Sequence, residues 1–353
     1  MALGRHLEHT GHQRNHAGSA TPATARHSVV RRIWPGGPRG GPPTNDKRAA
    51  RHTVASASNP GSIECGARPS TPRGSRSMTM TTPQQPTASP QAADIPDVQG
   101  REDSRRVAID RVGVKGIRYP ITVETMDGGH QAVDATFNMY VSLAADRKGT
   151  HMSRFLELLN QFKSGMTPDR AVELCQLLRT TLDADRSHVE MMFTYFIEKT
   201  APASGKKGLV DYTIRMVCDS STEGDTFTLS VAAPATSLCP CSKEISAYGA
   251  HNQRCLITAD VQMNKMVWIE ELVSLIESCA SCEVYSVLKR PDEKVVTELA
   301  YDNPKFVEDI VRDLARTLDS DGRIDWYRIH SENFESIHSH NAYAEIERGS
   351  KKP

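Results

Sequence analysis

Residues 112–144, VGVKGIRYPITVETMDGGHQAVDATFNMYVSLA, contain the stretch that decides the fold class. Two β-branched and aromatic segments, 112–125 and 133–144, flank the sequence MDGGH. Asp127-Gly128-Gly129 is typical of a hairpin turn, because tight turns need backbone conformations that glycine adopts easily. We therefore expect an antiparallel pair of strands at the start of the folded part of the chain.

Two helices and two more strands follow this hairpin. GTHMSRFLELLNQFKSG (149–165) has apolar residues on one helical face, and TPDRAVELCQLLRTTL (167–182) begins with a Thr cap and a Pro in its first turn. Strands are predicted over 188–198 and 209–219, joined by the turn-rich APASGKKG. The predicted order is strand, strand, helix, helix, strand, strand.

The second half of the chain repeats this theme. Strands are predicted over 225–234 and 254–263, and amphipathic helices over 268–279 and 304–318, followed by the strand-like stretch 321–347. The later helix has two predicted start signals, Asn303 as its cap and Pro304 as its first residue. The sequence thus predicts an α+β protein with two tandem modules, 105–222 and 223–350.

Residues 1–100 differ sharply in composition from the rest. They are rich in Gly, Pro, Ser, Thr, Ala and Arg, and up to Arg76 eleven Arg and one Lys face three acidic residues, a net charge of +9. Such a segment buries too little apolar surface to fold, so we predict disorder. Three interpretations stay open: a nucleic-acid-binding arm, a targeting leader, or an inert extension ahead of a true start at Met78 or Met80.

The cysteine pattern favours metal binding, catalysis or buried thiols over disulfide bonds. Eight cysteines occur, with no apolar core of a secretory signal and no apolar run long enough to span a bilayer. A cytoplasmic location is therefore expected, without a membrane partner. CASC, Cys279 to Cys282, lies at the end of an amphipathic helix without a second pair at zinc-knuckle spacing. We predict buried thiols there.

The stretch SLCPCSKEISAYGAHNQ (237–253) has the strongest chemical signal. Cys239 and Cys241 are two residues apart, so a β-like backbone would place both sulfurs on one side, whereas a tight Pro-bearing turn would aim them apart. His251 follows ten residues after Cys241. Thiolate and imidazole are natural ligands of zinc and similar metals, and buried, incidental thiols are the alternative.

Two distant segments add imidazole and carboxylate groups. NFESIHSHNAYAE (333–345) has Glu335 together with His338 and His340, which are spaced as neighbours on one face of a strand. LKRPDEKVVTE (288–298) is interpreted as a Pro-led turn that contains Asp292 and Glu293. Alone, each segment is more typical of a solvated surface. Together they would complete a mixed S, N and O ligand set, which fits a catalytic metal site better than a structural zinc site.

Four motifs in this order resemble the type IB GTP cyclohydrolase I family across residues 100–350. They are TSLCPCSKEISAYGAHNQR, LKRPDEKVVTE, NPKFVEDIVRDL and NFESIHSHNAYA. The resemblance implies a tunnelling fold, with tandem ββααββ modules, antiparallel sheets, helices on one face and assembly into an oligomeric barrel, usually a homotetramer. The implied reaction converts GTP and water to 7,8-dihydroneopterin triphosphate and formate, the entry to tetrahydrofolate and to the deazaguanine bases of tRNA.

The resemblance also implies roles for individual residues. Cys239 would be the essential thiolate at a divalent metal (Zn, Mn or Fe), whose bound water attacks C8 of GTP. The implied companions of Cys239 are His251, Glu293 and His338, and a histidine would also move protons. Glu308 would anchor guanine through N1–H and the amino group. Residues with possible supporting or triphosphate-contacting roles are Cys241, Glu335, His340, Lys243, His151 and Arg154.

Two other functions stay open from sequence alone. One is a nitrile reductase of deazaguanine synthesis with the same architecture, which uses a single cysteine and no catalytic metal. The other is a non-catalytic structural-zinc module whose basic tail binds nucleic acid. The Cys-His-Glu-His set argues against the first, and the resemblance makes nucleic acid an unlikely partner.

Overall fold

The structure, a computed structural model, describes residues 96–350. Within them the chain forms nine strands in one antiparallel sheet. The strands are β1 (Ile109–Glu124), β2 (His130–Leu143), β3 (Arg186–Thr200), β4 (Lys207–Ser221), β5 (Asp225–Leu238), β6 (Asn252–Met263), β7 (Cys282–Glu283), β8 (Ile324–Asn333) and β9 (Ala342–Gly349). The helices are α1 (Met152–Gln161), α2 (Pro168–Thr181), α3 (Pro240–Ile245), α4 (Ile269–Ser278), α5 (Arg290–Asp302) and α6 (Val307–Asp319). The predicted α+β class is confirmed.

The strand order is β1-β2-β3-β4-β5-β6-β8-β9, with the short β7 paired to β5. The predicted hairpin joins β1 and β2, with Glu124 opposite His130. Its turn contains Gly128 at φ +80°, a conformation that favours glycine. Asp127 accepts a hydrogen bond from the Gly129 N–H at 3.1 Å. The sequence signal at MDGGH therefore identified the turn correctly.

The core lies between one face of the sheet and the helices. Alternate strand residues such as Phe137, Met191 and Ile214 are fully buried in one hydrophobic cluster with helix residues such as Leu159 and Leu314. This period of two is what a sheet with one covered face requires. Because β4 pairs directly with β5, the sheet is continuous across the proposed module boundary at 222/223. The division into two modules stays a prediction.

Two adjacent leucines on α2 differ in burial, and we expect their replacement to change the free energy of unfolding by different amounts. Leu178 is fully buried, whereas its neighbour Leu177 is 37% exposed. Leu178→Ala should lower the free energy of unfolding by about 2 to 5 kcal/mol, because it removes buried methyl groups and leaves a cavity. The matched Leu177→Ala variant should stay within about 0.5 kcal/mol of the parent. Urea unfolding of both variants measures the difference, and equal losses would contradict the burial pattern.

The predicted Pro-led turn at 288–298 is wrong, since residues 290–302 form helix α5. Pro291 sits in the first turn, where its missing N–H has no helical partner to lose. Asp292 accepts the backbone N–H of Lys289 at 2.8 Å, which satisfies a donor that the helix start leaves free. The acidic residues of this segment thus belong to a helix N-terminus.

The predicted start of the last helix is also wrong. Asn303 ends α5, and α6 begins four residues later at Val307. The Lys305 N–H donates to the Leu238 carbonyl at 3.0 Å, so Lys305, between the two helices, lies against the end of β5. Asp309 then accepts the Phe306 N–H at 3.0 Å and starts the helix there.

His338 and His340 are not strand neighbours, because β8 ends at Asn333 and β9 begins at Ala342. Both histidines lie in the intervening loop, residues 334–341, with their rings stacked at a centroid distance of 5.4 Å. Asn333 donates through its side chain to Ser237 Oγ at 2.9 Å. That bond holds the end of β8, where the chain leaves the sheet, against the end of β5.

Among the described residues no helix is long and apolar enough to cross a membrane.

Candidate active site

Cys239 lies where β5 ends and α3 begins. It is the N-cap of α3, and its Sγ accepts the Ser242 N–H at 3.4 Å. Cys239 is partly buried, and Cys241, in the first turn of α3, is exposed. Pro240 starts the helix directly after Cys239. The CPC stretch therefore starts a helix directly after Cys239 and does not continue as the β-like backbone that would place both sulfurs on one side.

Backbone and side-chain hydrogen bonds join Cys239 to His251. The Cys239 N–H donates to the His251 carbonyl at 3.1 Å. Ser242 bridges the two residues: its Oγ donates to the Cys239 carbonyl at 3.1 Å and accepts the His251 N–H at 3.2 Å. The twelve-residue separation in sequence is thereby closed in space, and the backbones of Cys239 and His251 lie side by side.

The His251 ring is oriented by its Nδ1 atom. Nδ1 lies 3.0 Å from Gln253 Oε1 and 3.4 Å from Ser336 Oγ. Because an amide oxygen only accepts, this contact requires a proton on Nδ1. In a neutral imidazole with its proton on Nδ1, Nε2 has the lone pair that binds a metal or takes up a proton.

The β8–β9 loop, residues 334–341, reaches the same site. Ser336 contacts His251, and the Phe334 N–H donates to the Arg254 carbonyl at 3.0 Å. The loop includes Glu335, which is partly buried, and the exposed His338 and His340. The structure thus brings the loop that contains the predicted histidine ligand against His251.

The start of α6 lies beside the end of β5. Ser237 Oγ donates to the Lys305 carbonyl at 3.0 Å, which fixes the chain just before α6 next to Cys239. Glu308 is exposed in the first turn of that helix.

Lys243 on α3 donates to the Tyr301 carbonyl, and its ammonium lies 4.3 Å from the centre of the Tyr301 ring. Lys243 therefore ties α3 to α5.

Glu293 is exposed in the first turn of α5, directly after a buried carboxylate. Asp292 is fully buried and accepts four hydrogen bonds: from the N–H groups of Ala203, Ser204 and Lys289 and from Ser204 Oγ, at 2.6–2.8 Å. Burial by itself raises the pKa of Asp292, but these bonds outweigh it and hold the pKa well below its usual range. Asp292 is thus an ionised anchor, whereas the Glu293 carboxylate makes no hydrogen bond or ion pair within residues 96–350.

The predicted ligand set is only partly gathered in one chain. Cys239 and His251 are joined, and thiol plus imidazole is a donor pair that suits a borderline divalent metal. Within residues 96–350, however, no three Cys, His, Asp or Glu side chains are grouped closely enough to hold a metal ion. The described part of a single chain therefore supplies two candidate donors on neighbouring backbone segments, without a complete metal site.

Burial separates the remaining thiols from this site. Desolvation raises the pKa of Cys175 and of Cys255 to about 12, and raises the pKa of Cys279 and of Cys282 as well. The CASC cysteines are 4% and 8% exposed, which confirms the prediction of buried thiols. Among the described cysteines, the two of the CPC stretch are the ones with access to solvent.

His151 and Arg154 lie at the start of α1. His151 is the N-cap of α1 and has its Nε2 3.4 Å from Asp97 Oδ2. Arg154 Nη1 lies 3.5 Å from the Thr181 carbonyl. These contacts do not involve Cys239 or its neighbours, so the single chain gives these two residues no link to the site.

The sequence did not reveal the polar residues that support the site. Ser237, Gln253 and Asn333 are 0%, 8% and 2% exposed and form a hydrogen-bonded group beneath Cys239 and His251. Their positions at strand ends beside the CPC and histidine segments were the available signal. Burial of a polar side chain costs free energy unless it is hydrogen-bonded, and these three satisfy one another.

Comparison with known proteins identifies the family. The family model described as type I GTP cyclohydrolase folE2 matches residues 95–344. The chain belongs to this family. GTP cyclohydrolase FolE2 of Nitrosomonas eutropha is 54% identical over 260 residues, which are 73% of this chain and 97% of the relative. GTP cyclohydrolase FolE2 of Azoarcus sp. is 54% identical over 261 residues, 74% of this chain and 97% of the relative.

Uricases are among the solved structures that match this backbone, at low scores. The uricase from Arthrobacter globiformis has a TM-score of 0.40 at 9% identity and covers 69% of this chain and 95% of its own. A uricase from Bacillus fastidious has a TM-score of 0.43 at 7% identity, with 68% and 93% covered. These scores are too low to support a conclusion, so the FolE2 family assignment rests on sequence.

Proposed function

We propose that this chain is a GTP cyclohydrolase I, which converts GTP and water to 7,8-dihydroneopterin triphosphate and formate. The reaction is the first step of tetrahydrofolate synthesis and also feeds the deazaguanine bases of tRNA. The observation that carries the proposal is the family match over residues 95–344, which spans all four motifs of the candidate site. Relatives that are 54% identical over 97% of their own length are named GTP cyclohydrolase FolE2.

The proposed metal ligands are Cys239, His251, Glu293 and His338, with zinc, manganese or iron as the metal. The joined Cys239 and His251 and the contact of the 334–341 loop with His251 support this set. When bound, the metal would supply Lewis acidity. Glu293 and His338, the other two proposed ligands, are both exposed.

His251 is the proposed proton carrier of the reaction. Gln253 holds Nδ1, so Nε2 is the available atom, and His251 acts as the proton carrier in the steps in which Nε2 is not bound to the metal. Ring opening and formyl release both require proton transfers, for which a positioned imidazole is suited. Ser242 and Ser336 fix the histidine from two sides.

Glu308 is the proposed guanine anchor. A carboxylate accepts two hydrogen bonds, and guanine offers two adjacent donors, N1–H and the 2-amino group. Adenine has an acceptor at N1, so the same carboxylate discriminates against ATP. The position of Glu308 in the first turn of α6, beside the end of β5, supports this role.

We further propose assembly into a homotetramer through a tunnelling-fold barrel, in the cytoplasm. Large apolar side chains are exposed around the site: Ile245 is 83%, Ile337 65% and Tyr248 fully exposed. A cluster of this kind is typical of a surface that a partner covers.

The proposed cytoplasmic location is supported by the cysteines. The seven described cysteines are all free, which suits a reducing compartment.

The direct test is turnover of GTP. Protein that starts at Met80 is incubated with GTP and either Mn²⁺ or Zn²⁺, and formate and a fluorescent oxidised pterin are measured. Both products are expected in equal amounts. A folded protein that yields neither product with any divalent metal would exclude this function and leave nitrile reduction or a structural-zinc module.

Removal of residues 1–79 should leave GTP turnover unchanged. The matched relatives are covered almost completely by about 260 residues of this chain, and the family match begins at residue 95. The full-length and truncated proteins are compared for kcat, KM and binding to a DNA duplex. Loss of turnover on truncation would contradict this prediction, whereas tail-dependent DNA binding by a full-length protein that leaves GTP intact would favour the nucleic-acid-binding alternative.

A further inference from the structure

The segment that leads to Glu293 lies along the end of the β3–β4 hairpin. We call residues 199–208 the hairpin tip and residues 282–292 the lead segment. The lead segment contains β7, which pairs with β5 beside Thr236, and it ends in the first turn of α5. Three separate anchors join these two parts of the chain.

The first anchor is a buried ion-pair network around Lys199. Lys199 Nζ lies 2.8 Å from Glu277 Oε1, contacts Glu283, and lies 5.0 Å from the centre of the Tyr285 ring. The side chains of Lys199 and Glu277 are 10% and 9% exposed. The lead segment contributes Glu283 and Tyr285 to this network, so Lys199 ties its start to the hairpin tip.

The second anchor is a close approach at Gly208. A Cβ atom at this position would lie 2.4 Å from Ser286 Oγ and 2.7 Å from Val287 Cγ2. Glycine is thus required for the lead segment to pack directly on the start of β4.

The third anchor is Asp292. Its carboxylate accepts the N–H groups of Ala203 and Ser204, and also the Ser204 hydroxyl at 2.6 Å. The fourth bond, from the Lys289 N–H, belongs to the helix itself. One carboxylate therefore caps α5 and ties it to the hairpin tip, 88 residues earlier in the chain.

We propose that the hairpin tip is a positioning element that sets the place of Glu293 at the active site, with Asp292 and Ser204 as its positioning residues. This inference rests on the proposed function. Within residues 96–350 the Glu293 side chain has no hydrogen bond or ion pair of its own, so its place depends on its helix start. That start is what the third anchor holds.

Misplacement of a catalytic group by about 1 Å costs on the order of a hundredfold in rate, and loss of a supporting hydrogen bond costs about 10- to 100-fold in metal affinity or activity. Asp292→Asn should therefore lower kcat for GTP and the affinity for Mn²⁺ by about 10- to 100-fold, with KM for GTP nearly unchanged. Ser204→Ala should have a smaller effect in the same direction, because the backbone donors to Asp292 remain. Lys206→Ala, on the same turn with an exposed side chain, is the matched control and should behave as the parent.

The deciding experiment measures both variants in the parent and in a Glu293→Gln background, by turnover of GTP and by titration of the metal-free protein with Mn²⁺. We expect the losses caused by Asp292→Asn and Ser204→Ala to vanish when Glu293 is already replaced. Equal losses in both backgrounds, or unchanged Mn²⁺ affinity in a folded Asp292→Asn protein, would overturn the proposal. If Asp292→Asn fails to fold, Ser204→Ala decides alone. A parent protein that binds Mn²⁺ but leaves GTP intact would refute the proposed function, and the Mn²⁺ titration would still decide the positioning role.

Discussion

Cys239→Ala is expected to reduce GTP turnover by more than about a hundredfold, beyond the range for groups that merely support a metal site. Cys239 is the partly buried N-cap of α3, joined to His251 by a backbone hydrogen bond and by the bridging Ser242. The other described thiols, apart from Cys241, are buried. The substitution should leave thermal unfolding nearly unchanged, since the Ser242 N–H loses only a weak sulfur acceptor.

The matched Cys241→Ala variant measures what the second thiol contributes. Because Cys241 is exposed in the first turn of α3, its replacement should cost much less than that of Cys239. Formate release at saturating GTP and Mn²⁺ measures the turnover number of each variant. Full turnover in Cys239→Ala would remove the thiolate from the mechanism.

Glu308→Gln is expected to lower kcat/KM for GTP by roughly a hundredfold or more. Hydrogen bonds to a charged group contribute about 1.5 to 3 kcal/mol each, and the amide of Gln presents a donor where guanine needs a second acceptor. Two weakened bonds thus amount to about 3 kcal/mol or more, and each 1.4 kcal/mol is tenfold. The loss should appear mainly in KM if guanine binding precedes the chemistry.

Glu173→Gln is the control for this substitution, since Glu173 is also an exposed helical glutamate but lies on α2. It should leave kcat/KM unchanged. Steady-state kinetics with GTP and with ATP measures the discrimination. An unaltered preference for GTP in Glu308→Gln would mean that another residue anchors guanine.

Much of the fold could be predicted from local patterns. The hairpin at MDGGH, both helices of the first half and strands β3 and β4 follow from turn chemistry and from apolar periods of two and 3.6 residues. The errors arose where distant contacts decide. The α6 start lies later because Lys305 bonds to the end of β5. The start of α5 is capped by Asp292, which also binds a hairpin from the other half of the chain.

The candidate site was predictable in its donor types but not in its geometry. Cys239 and His251 stand out by residue type, and the structure joins them. Glu293 and His338 lie on a helix start and in a loop, where no local pattern specifies the direction of a side chain. The supporting residues Ser237, Gln253 and Asn333 could not be predicted, because single polar residues at strand ends have no distinctive spacing in the sequence.

The most direct test of the central claim follows carbon 8 of guanine. GTP labelled with ¹³C at C8 is incubated with the protein that starts at Met80 and Mn²⁺, and the products are observed by NMR. Hydrolysis at the Cys239 site predicts one labelled formate for each GTP consumed, and no labelled formate with Cys239→Ala. Label that stays in an intact purine ring with the folded parent protein, or labelled formate at full rate with Cys239→Ala, would contradict the account.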